Sequence, residues 1–526
     1  MWEKLNNSSL IFSKTFVENN REYSTYSNRV FFHRIYIYYN SKGYYNIIIN
    51  SIINLLVSNF LVFFLLFLIN CVDYTNLFRI DTKVSISAYV DMSTFFSNLS
   101  IFFKGLIILF LALDVVKLIS LFDDIYVFKN IRNFYRNTLK ICDSELEYLD
   151  WKDIIDIYKD VDENINPYYI NAIITSKDNY FTTLIDQKII RPIHLTSIIE
   201  WNLIYCIIYS IFNKKEHISE ELFTNTCIIE KSMKNKLRTI SILNVIFMPL
   251  IIVFITLYNL FTHGEEFYNK PDLLISSNFT KLAQWKYRNY NEPIHQFEER
   301  MEKIDTLVKQ YSGAFKNKLV NAILKFVIFV FSSIFITIII LTLINDDILI
   351  NLNIVGSKNV LWFIGVVGSI IAILRTILNK KINDSPNEIM EKISRHIIVD
   401  EKIIKNANMK IVKNEFLAYY RYKIIQIILD IVFTITMPIQ LWSISYDTPY
   451  ITAFFKKITN KNQHIGYICK YSDLENNPLT FFGSLINDNE KDYITKKIIF
   501  SEELLSKEFP NLNYNKTQIS AQINFL

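Results

Sequence analysis

The sequence predicts an all-α integral membrane protein, with four transmembrane helices and cytosol-facing re-entrant helical hairpins. Three observations carry this. Hydrophobic residues make up 51% of the 526 residues and gather in blocks, several of them near the roughly 20 residues a helix needs to cross the hydrocarbon core. Lys and Arg crowd some inter-block segments and are scarce in others, which orients the chain. Two blocks carry an internal proline, where a helix loses a backbone hydrogen bond. The composition favours Ile, Asn, Lys, Tyr and Phe throughout, so block length and flanks carry more weight than mean hydropathy.

The first span is Ile47–Cys71, with Asn50, Asn54 and Ser58 along one face. Such polar groups face protein or a wet cavity rather than lipid. The second is Leu99–Phe122, which contains Lys104, Asp114 and Lys117. Asp114 and Lys117 are three apart, so they share a face and can pair. A charge at mid-membrane costs roughly 3 kcal/mol or more and needs a partner or water. Val320–Ile344 is the third span and Val360–Leu378 the fourth. In the fourth, Gly365, Gly368, Ser369 and Ala372 offer close approach to a neighbouring helix, and Arg375 lies near its end.

Three further blocks read as re-entrant. Ile240–Phe261 has Pro249 at its centre, Ile424–Leu441 contains Asp430 and Pro438, and Ser197–Phe212 is short and carries Glu200 and Asn202. Segments 123–238, 262–320 and 379–423 are rich in Lys and Arg. The first two spans are separated by only Arg79 and Lys83, and the last two by only Lys358. The rich regions are therefore expected in the cytosol and the poor loops in the lumen. Ile240–Phe261 has basic flanks on both sides, so it should enter and leave on the cytosolic face. The chain divides into a cytosolic segment 1–40 and a membrane core 41–445, followed by a cytosolic region 446–526. Cytosolic helical loops 123–196 and 262–319 interrupt the core, and both termini are cytosolic. Residues 1–30 are polar and hold no secretory signal. Asn98-Leu99-Ser100 is a glycosylation sequon against the second span.

Several function classes are disfavoured. The net charge of +5 makes no case for nucleic acid. There is no GxxxxGK[ST] or GxGxxG to cradle a nucleotide, and no HExxH or GxSxG. The five cysteines have no CxxC spacing, and the seven histidines lack metal-ligand companions. No cofactor and no classical catalytic site are expected. His263-Gly264-Glu265-Glu266 reads as a polar exit from the membrane rather than a ligand set.

The most specific stretch is Trp285-Lys286-Tyr287-Arg288-Asn289-Tyr290-Asn291-Glu292-Pro293-Ile294-His295-Gln296-Phe297. It resembles the signature of the autophagy-related protein 9 family: an aromatic, then Arg, Asn-Glu and His at set spacing. Ile199-Glu200-Trp201-Asn202-Leu203 resembles the family's Leu-Glu-Trp-Asn motif, and Lys177–Leu184 the segment before it. Ile451–Cys469, with Phe454-Phe455 and Gly466, resembles a further family block. Pro249 and Pro438 sit where the family has proline-containing hairpins. The resemblance covers about residues 30–475. The departures are Asn291-Glu292-Pro293-Ile294-His295 for the family's Asn-Glu-Leu-Pro-His, Met437-Pro438 for Thr-Pro, and Asp430 for Glu.

The resemblance implies a homotrimer that scrambles phospholipids between leaflets without ATP. It implies residence on Golgi- or endosome-derived vesicles that seed the autophagosome, and a bridge-like lipid-transfer protein as partner. A headgroup crossing bare hydrocarbon faces a large desolvation barrier, so a scramblase needs polar groups at membrane depth. The candidates for lining such a path are Asp114, Lys117, Glu200, Asn202, Glu265, Glu266, Lys270, Arg375 and Asp430. Each has a local alternative as an ion pair, a snorkelling side chain or a hairpin cap. Trp201, Trp285, Arg288, Asn291, Glu292, His295, Pro249 and Pro438 read as structural. Arg288–Glu292 and Glu292–His295 are expected to share faces of a cytosolic helix. Two other readings stay open: a membrane scaffold or vesicle receptor, and an ion channel or transporter.

Overall fold

The computed structural model describes residues 29–74, 90–91, 101–162, 166–190, 194–269, 277–315, 318–344, 353–355, 358–378, 385–399, 401–473 and 488–509. The fold is almost entirely helical. The main helices, in chain order, are α1 (Arg29–Asn40), α2 (Tyr44–Asn70), α3 (Ile101–Phe134), α4 (Trp151–Val161), α5 (Pro167–Ile174), α6 (Ser176–Asp186), α7 (Ser197–Leu203), α8 (Thr226–Asn269), α9 (Lys281–Tyr287) and α10 (Ile294–Ala314). They continue with α11 (Lys318–Ile344), α12 (Val360–Leu378), α13 (Pro386–Ser394), α14 (Lys410–Leu417), α15 (Lys423–Ile444), α16 (Thr448–Lys457) and α17 (Asp488–Glu508). Three small antiparallel pairs join them. β1 (Ser277–Phe279) pairs with β4 (Tyr420–Tyr422), Ser277 opposite Tyr422. β2 (Asn353–Val355) pairs with β3 (Lys358–Asn359). β5 (Thr459–Asn462) pairs with β6 (Gly466–Cys469).

Local chemistry starts these helices. Asp150 and Asp153 form a reciprocal capping box at α4. The buried residues Trp151, Ile154, Ile155 and Tyr158 then mark one face at helical spacing. Asn166 accepts from the Tyr168 amide at the start of α5, with Pro167 in the first turn. Thr196 caps α7 and Thr280 caps α9 through side-chain oxygens. Gly43 turns the chain from α1 into α2 at φ 108°. A Cβ there would lie 3.3 Å from the Asp143 side chain as well, so this turn needs glycine.

Two protein cores form. The larger joins α1, the end of α3, α4 to α7, α16, β6 and α17, with Phe31, Tyr38, Trp151, Leu184, Phe455 and Ile498 buried in it. It also takes in Ile229, Met233 and Leu237 of α8 and Met437 and Leu441 of α15. The smaller joins α9, α10, α13 and α14, with Ile304, Tyr311 and Ile393 fully buried. By contrast, α2, α8 and α11 present large apolar side chains that no other part of the described chain covers. Phe60, Leu260, Phe326 and Leu343 are among the most exposed. A helix left apolar on its outer face belongs in lipid.

Among the described residues, four helices are long and apolar enough to cross a membrane: Tyr44–Asn70, Thr226–Thr262, Asn321–Ile344 and Lys423–Ile444. The first and third coincide with expected spans. The expected spans at 99–122 and 360–378 fall on α3 and α12. The break expected at the prolines is absent, because α8 runs through Pro249 and α15 through Pro438 as continuous helices. A proline removes one backbone bond at a cost of about 3 kcal/mol, which the many remaining turns and their packing offset. The two helices lie antiparallel. Arg238 meets Ser445 at 3.4 Å, and the Ser241 hydroxyl donates to the Pro438 carbonyl at 2.7 Å. Ser197–Phe212 is apolar for a different reason. Leu203, Cys206, Ile207, Ile208 and Ile211 are buried by protein, in the larger core. Of the small residues on α12, Gly368 makes the expected close contact: a Cβ there would lie 3.3 Å from the Phe335 ring of α11.

Candidate functional site: a cavity between the membrane helices

A partly open cavity of about 700 Å³ lies between α2, α3, α7, α8 and α15. One long wall is apolar. Val62, Leu65 and Ile69 of α2 and Ile107, Phe110 and Leu113 of α3 face Phe247, Leu250, Ile251 and Phe254 of α8. One pole is polar, with Thr196 and Asn202 beside α7, Asn244 on α8, and Asp430 and Thr434 on α15. Asn259 lies fifteen residues beyond Asn244 on α8. At 1.5 Å per residue that is about 22 Å, longer than the roughly 15 Å of hydrocarbon in one leaflet.

The polar pole is held by neighbouring chain. Asn202 is buried and its amide donates to Met437 Sδ at 3.1 Å. The Asp430 carboxylate faces His194 Nε2 at 3.8 Å. The His194 ring tilts over Phe433 at 4.8 Å. Trp201 is half-exposed at the cavity and stacks on Tyr205 at 5.6 Å.

The signature stretch forms a second polar centre, in the protein core. Residues between α9 and α10 make a turn, with Asn291 in the left-handed region at φ 56°. The expected helical pairs are therefore replaced. Glu292 takes both arms of Arg300, Nε and Nη2 each at 2.7 Å, and Arg288 reaches Asp178 at 2.7 Å. Arg300 also donates to the carbonyls of Tyr287 and His396, each at 2.9 Å. Asn291 and Asn179 exchange two bonds, at 2.9 and 3.0 Å, and the Asn291 amide donates to the Ser472 carbonyl at 2.9 Å. Segments around Asn179, Arg300, Ser472 and Ser501 meet on this turn. A turn exposes more backbone than a helix, and the asparagine and glutamate side chains satisfy it.

His295 sits at the start of α10, where the Tyr36 hydroxyl shares a hydrogen bond with Nδ1 at 2.9 Å and accepts from the His295 amide at 3.3 Å. Burial, then the Lys42 charge, lowers its pKa to about 4, so the ring is neutral at pH 7. The C-terminal helix α17 closes over the turn. Lys497 reaches Asp186 at 2.7 Å, and both side chains are almost fully buried. Burial pushes the Asp186 carboxyl up and the Lys497 amine down.

Residues 28–475 match the family model described as autophagy protein ATG9. The chain belongs to the ATG9 family. Relatives include autophagy-related protein 9 of Dictyostelium discoideum, 27% identical over 506 residues, covering 91% of this chain and 72% of that protein. Those of Kluyveromyces lactis and Saccharomyces cerevisiae are 27% and 24% identical, and the match covers 52% and 49% of their lengths. The chain thus spans about half of these yeast relatives. The cryo-EM structure of Schizosaccharomyces pombe Atg9 shares the fold, with a TM-score of 0.66 at 22% identity, covering 85% of this chain and 99% of that one.

In this ATG9-family chain the expected path residues part company. Asn202 and Asp430 meet at the cavity, joined by Trp201. Glu200 turns to the core instead, accepting from Trp285 Nε1 at 2.8 Å with Lys281 at 3.6 Å. Asp114 and Lys117 pair at 3.5 Å, beside the lining residue Leu113 but not on the cavity wall. Arg375 is exposed at the end of α12, away from the cavity. Glu265 and Glu266 lie on α8, but their side chains are outside the described residues, as is Lys270 and the sequon at Asn98. Sequence reading missed Asn244, Asn259 and Thr434. Asn244, Phe247, Ile251, Phe254, Tyr258 and Asn259 recur at helical spacing, but single asparagines in an Ile-rich block barely dent hydropathy.

Proposed function

We propose that this chain is an ATP-independent phospholipid scramblase. It acts on the vesicles and membranes that seed and expand the autophagosome, as a homotrimer supplied by a bridge-like lipid-transfer protein. The observation that carries the reading is the cavity between the apolar helices, with polar groups at Asn244 and again at Asn259. A headgroup in bare hydrocarbon has no hydrogen-bond partner and a large desolvation cost. A slot with amides, hydroxyls and a carboxylate, open on one side, lets the headgroup stay solvated while the acyl chains remain in lipid. No energy input is needed, because the slot lowers a barrier without biasing direction. The protein resides in the preautophagosomal, Golgi-derived or endosomal vesicle membrane.

The test is reconstitution into liposomes carrying fluorescent lipid in both leaflets, with dithionite added outside. Protein-free vesicles lose about half their signal, since charged headgroups do not cross hydrocarbon. Loss well beyond half, without ATP and without dithionite entry, supports scrambling. A plateau at the protein-free level, with the protein folded and oligomeric, supports the scaffold reading instead. Conductance in a planar bilayer would point to a channel.

A further inference from the structure

The charge inventory of the cavity pole carries one step more. Among the described lining residues Asp430 alone bears a formal charge, and none is Lys or Arg. Its carboxylate is about one-third exposed, at 34%, so it is open to a ligand. A titratable neighbour, His194, lies at 3.8 Å. In the same cavity lining, Asn244 is nine-tenths buried, and its amide nitrogen has no hydrogen-bond partner among the described residues. Asn202 gives one N–H to a thioether, a weak acceptor. Trp201 offers an exposed aromatic face beside these groups.

Taken together, these are the complements of a zwitterion. A carboxylate and an indole face attract an ammonium or choline group. Under-used amide donors suit phosphate oxygens, which accept charge-assisted hydrogen bonds. A lipid with net negative charge gains the amides but meets the Asp430 carboxylate with no Lys or Arg among the described lining residues, and discrimination of this kind comes from repulsion. We propose that the Asn202, Asn244 and Asp430 pole binds the headgroup of zwitterionic phospholipids, phosphatidylcholine and phosphatidylethanolamine, and disfavours anionic ones. This deepens the scramblase reading, on which it rests for the role of the site but not for the binding itself.

The experiment is native mass spectrometry of the full chain in neutral detergent, with equimolar phosphatidylcholine and phosphatidylglycerol of identical acyl chains. The wild type should retain phosphatidylcholine over phosphatidylglycerol by at least about tenfold, as expected for one poorly screened charge contact. Asp430→Asn, nearly isosteric, should bring the ratio close to one, and Asp430→Lys should invert it. Asn244→Leu should lower retention of both lipids together. A wild-type ratio near one overturns the proposal, as does a preference that survives in a folded Asp430→Asn protein. The dithionite assay separates the two ideas. Preference without scrambling leaves the headgroup site standing and removes the scramblase reading. Scrambling with a wild-type ratio near one removes the headgroup site alone.

Discussion

Replacing Glu292 by glutamine isolates the chemistry of the signature turn. The side chain keeps its size, but the guanidinium of Arg300 loses its counter-charge, and a new amide donor faces an Arg donor. Both members are buried, with side-chain exposures of 8% and 4%. Removing one partner of a buried pair costs about 3–5 kcal/mol. Arg300 retains the carbonyls of Tyr287 and His396, so the lower figure, about 3 kcal/mol, applies. For large domains each kcal/mol moves the midpoint by roughly 2 °C, giving a fall of about 6 °C. The assay is thermal unfolding of detergent-solubilised protein by intrinsic fluorescence, at one scan rate. Glu299→Gln is the control. It breaks the Lys303–Glu299 pair, whose side chains are 59% and 66% exposed, and such pairs contribute less than about 1 kcal/mol. A Glu292→Gln midpoint within about 2 °C of wild type, or an equal drop for Glu299→Gln, would refute the assignment of Glu292 as a buried brace.

Two further outcomes follow from the core. Lys497→Met leaves the buried Asp186 carboxylate without its cation and should destabilise strongly. Adding Asp186→Leu should recover at least half of the loss in unfolding midpoint, because apolar side chains can replace a buried ion pair without penalty. His295 links stability to pH: its folded pKa is about 4 and its ordinary value 6.5, so between these the unfolded chain binds the proton first. Its contribution is therefore complete above about pH 6.5 and is lost as pH falls towards 4. His295→Gln should flatten the dependence of the melting midpoint on pH in that window, and an unchanged slope would count against the buried, neutral imidazole.

Much of the architecture was legible along the chain. The blocks at α2 and α11 are long apolar runs, and length against bilayer thickness needs no tertiary information. The signature stretch was also visible, but its conformation was not. Arg288, Glu292 and His295 have the spacing of a helix face, yet Pro293 and the left-handed Asn291 set a turn there. Their partners Asp178 and Tyr36 come from distant segments that local spacing cannot reveal, and Arg300 lies eight residues beyond Glu292, brought to it by the turn. The same limit applies to the cavity. Asp430 and Asn202 stood out as polar groups in apolar runs, whereas Glu200 looked equivalent and is bound instead to Trp285.

The sequence by itself determined that the chain is helical, lies in a membrane and belongs with the ATG9 family, because apolar run length, loop charge and motif order are written in one dimension. Only the tertiary structure decided that Pro249 and Pro438 lie within continuous helices, that α17 closes over the signature turn, and that Asn244 and Asp430 share a cavity. Those outcomes depend on which helix faces meet, and that is set by packing between residues up to hundreds of positions apart.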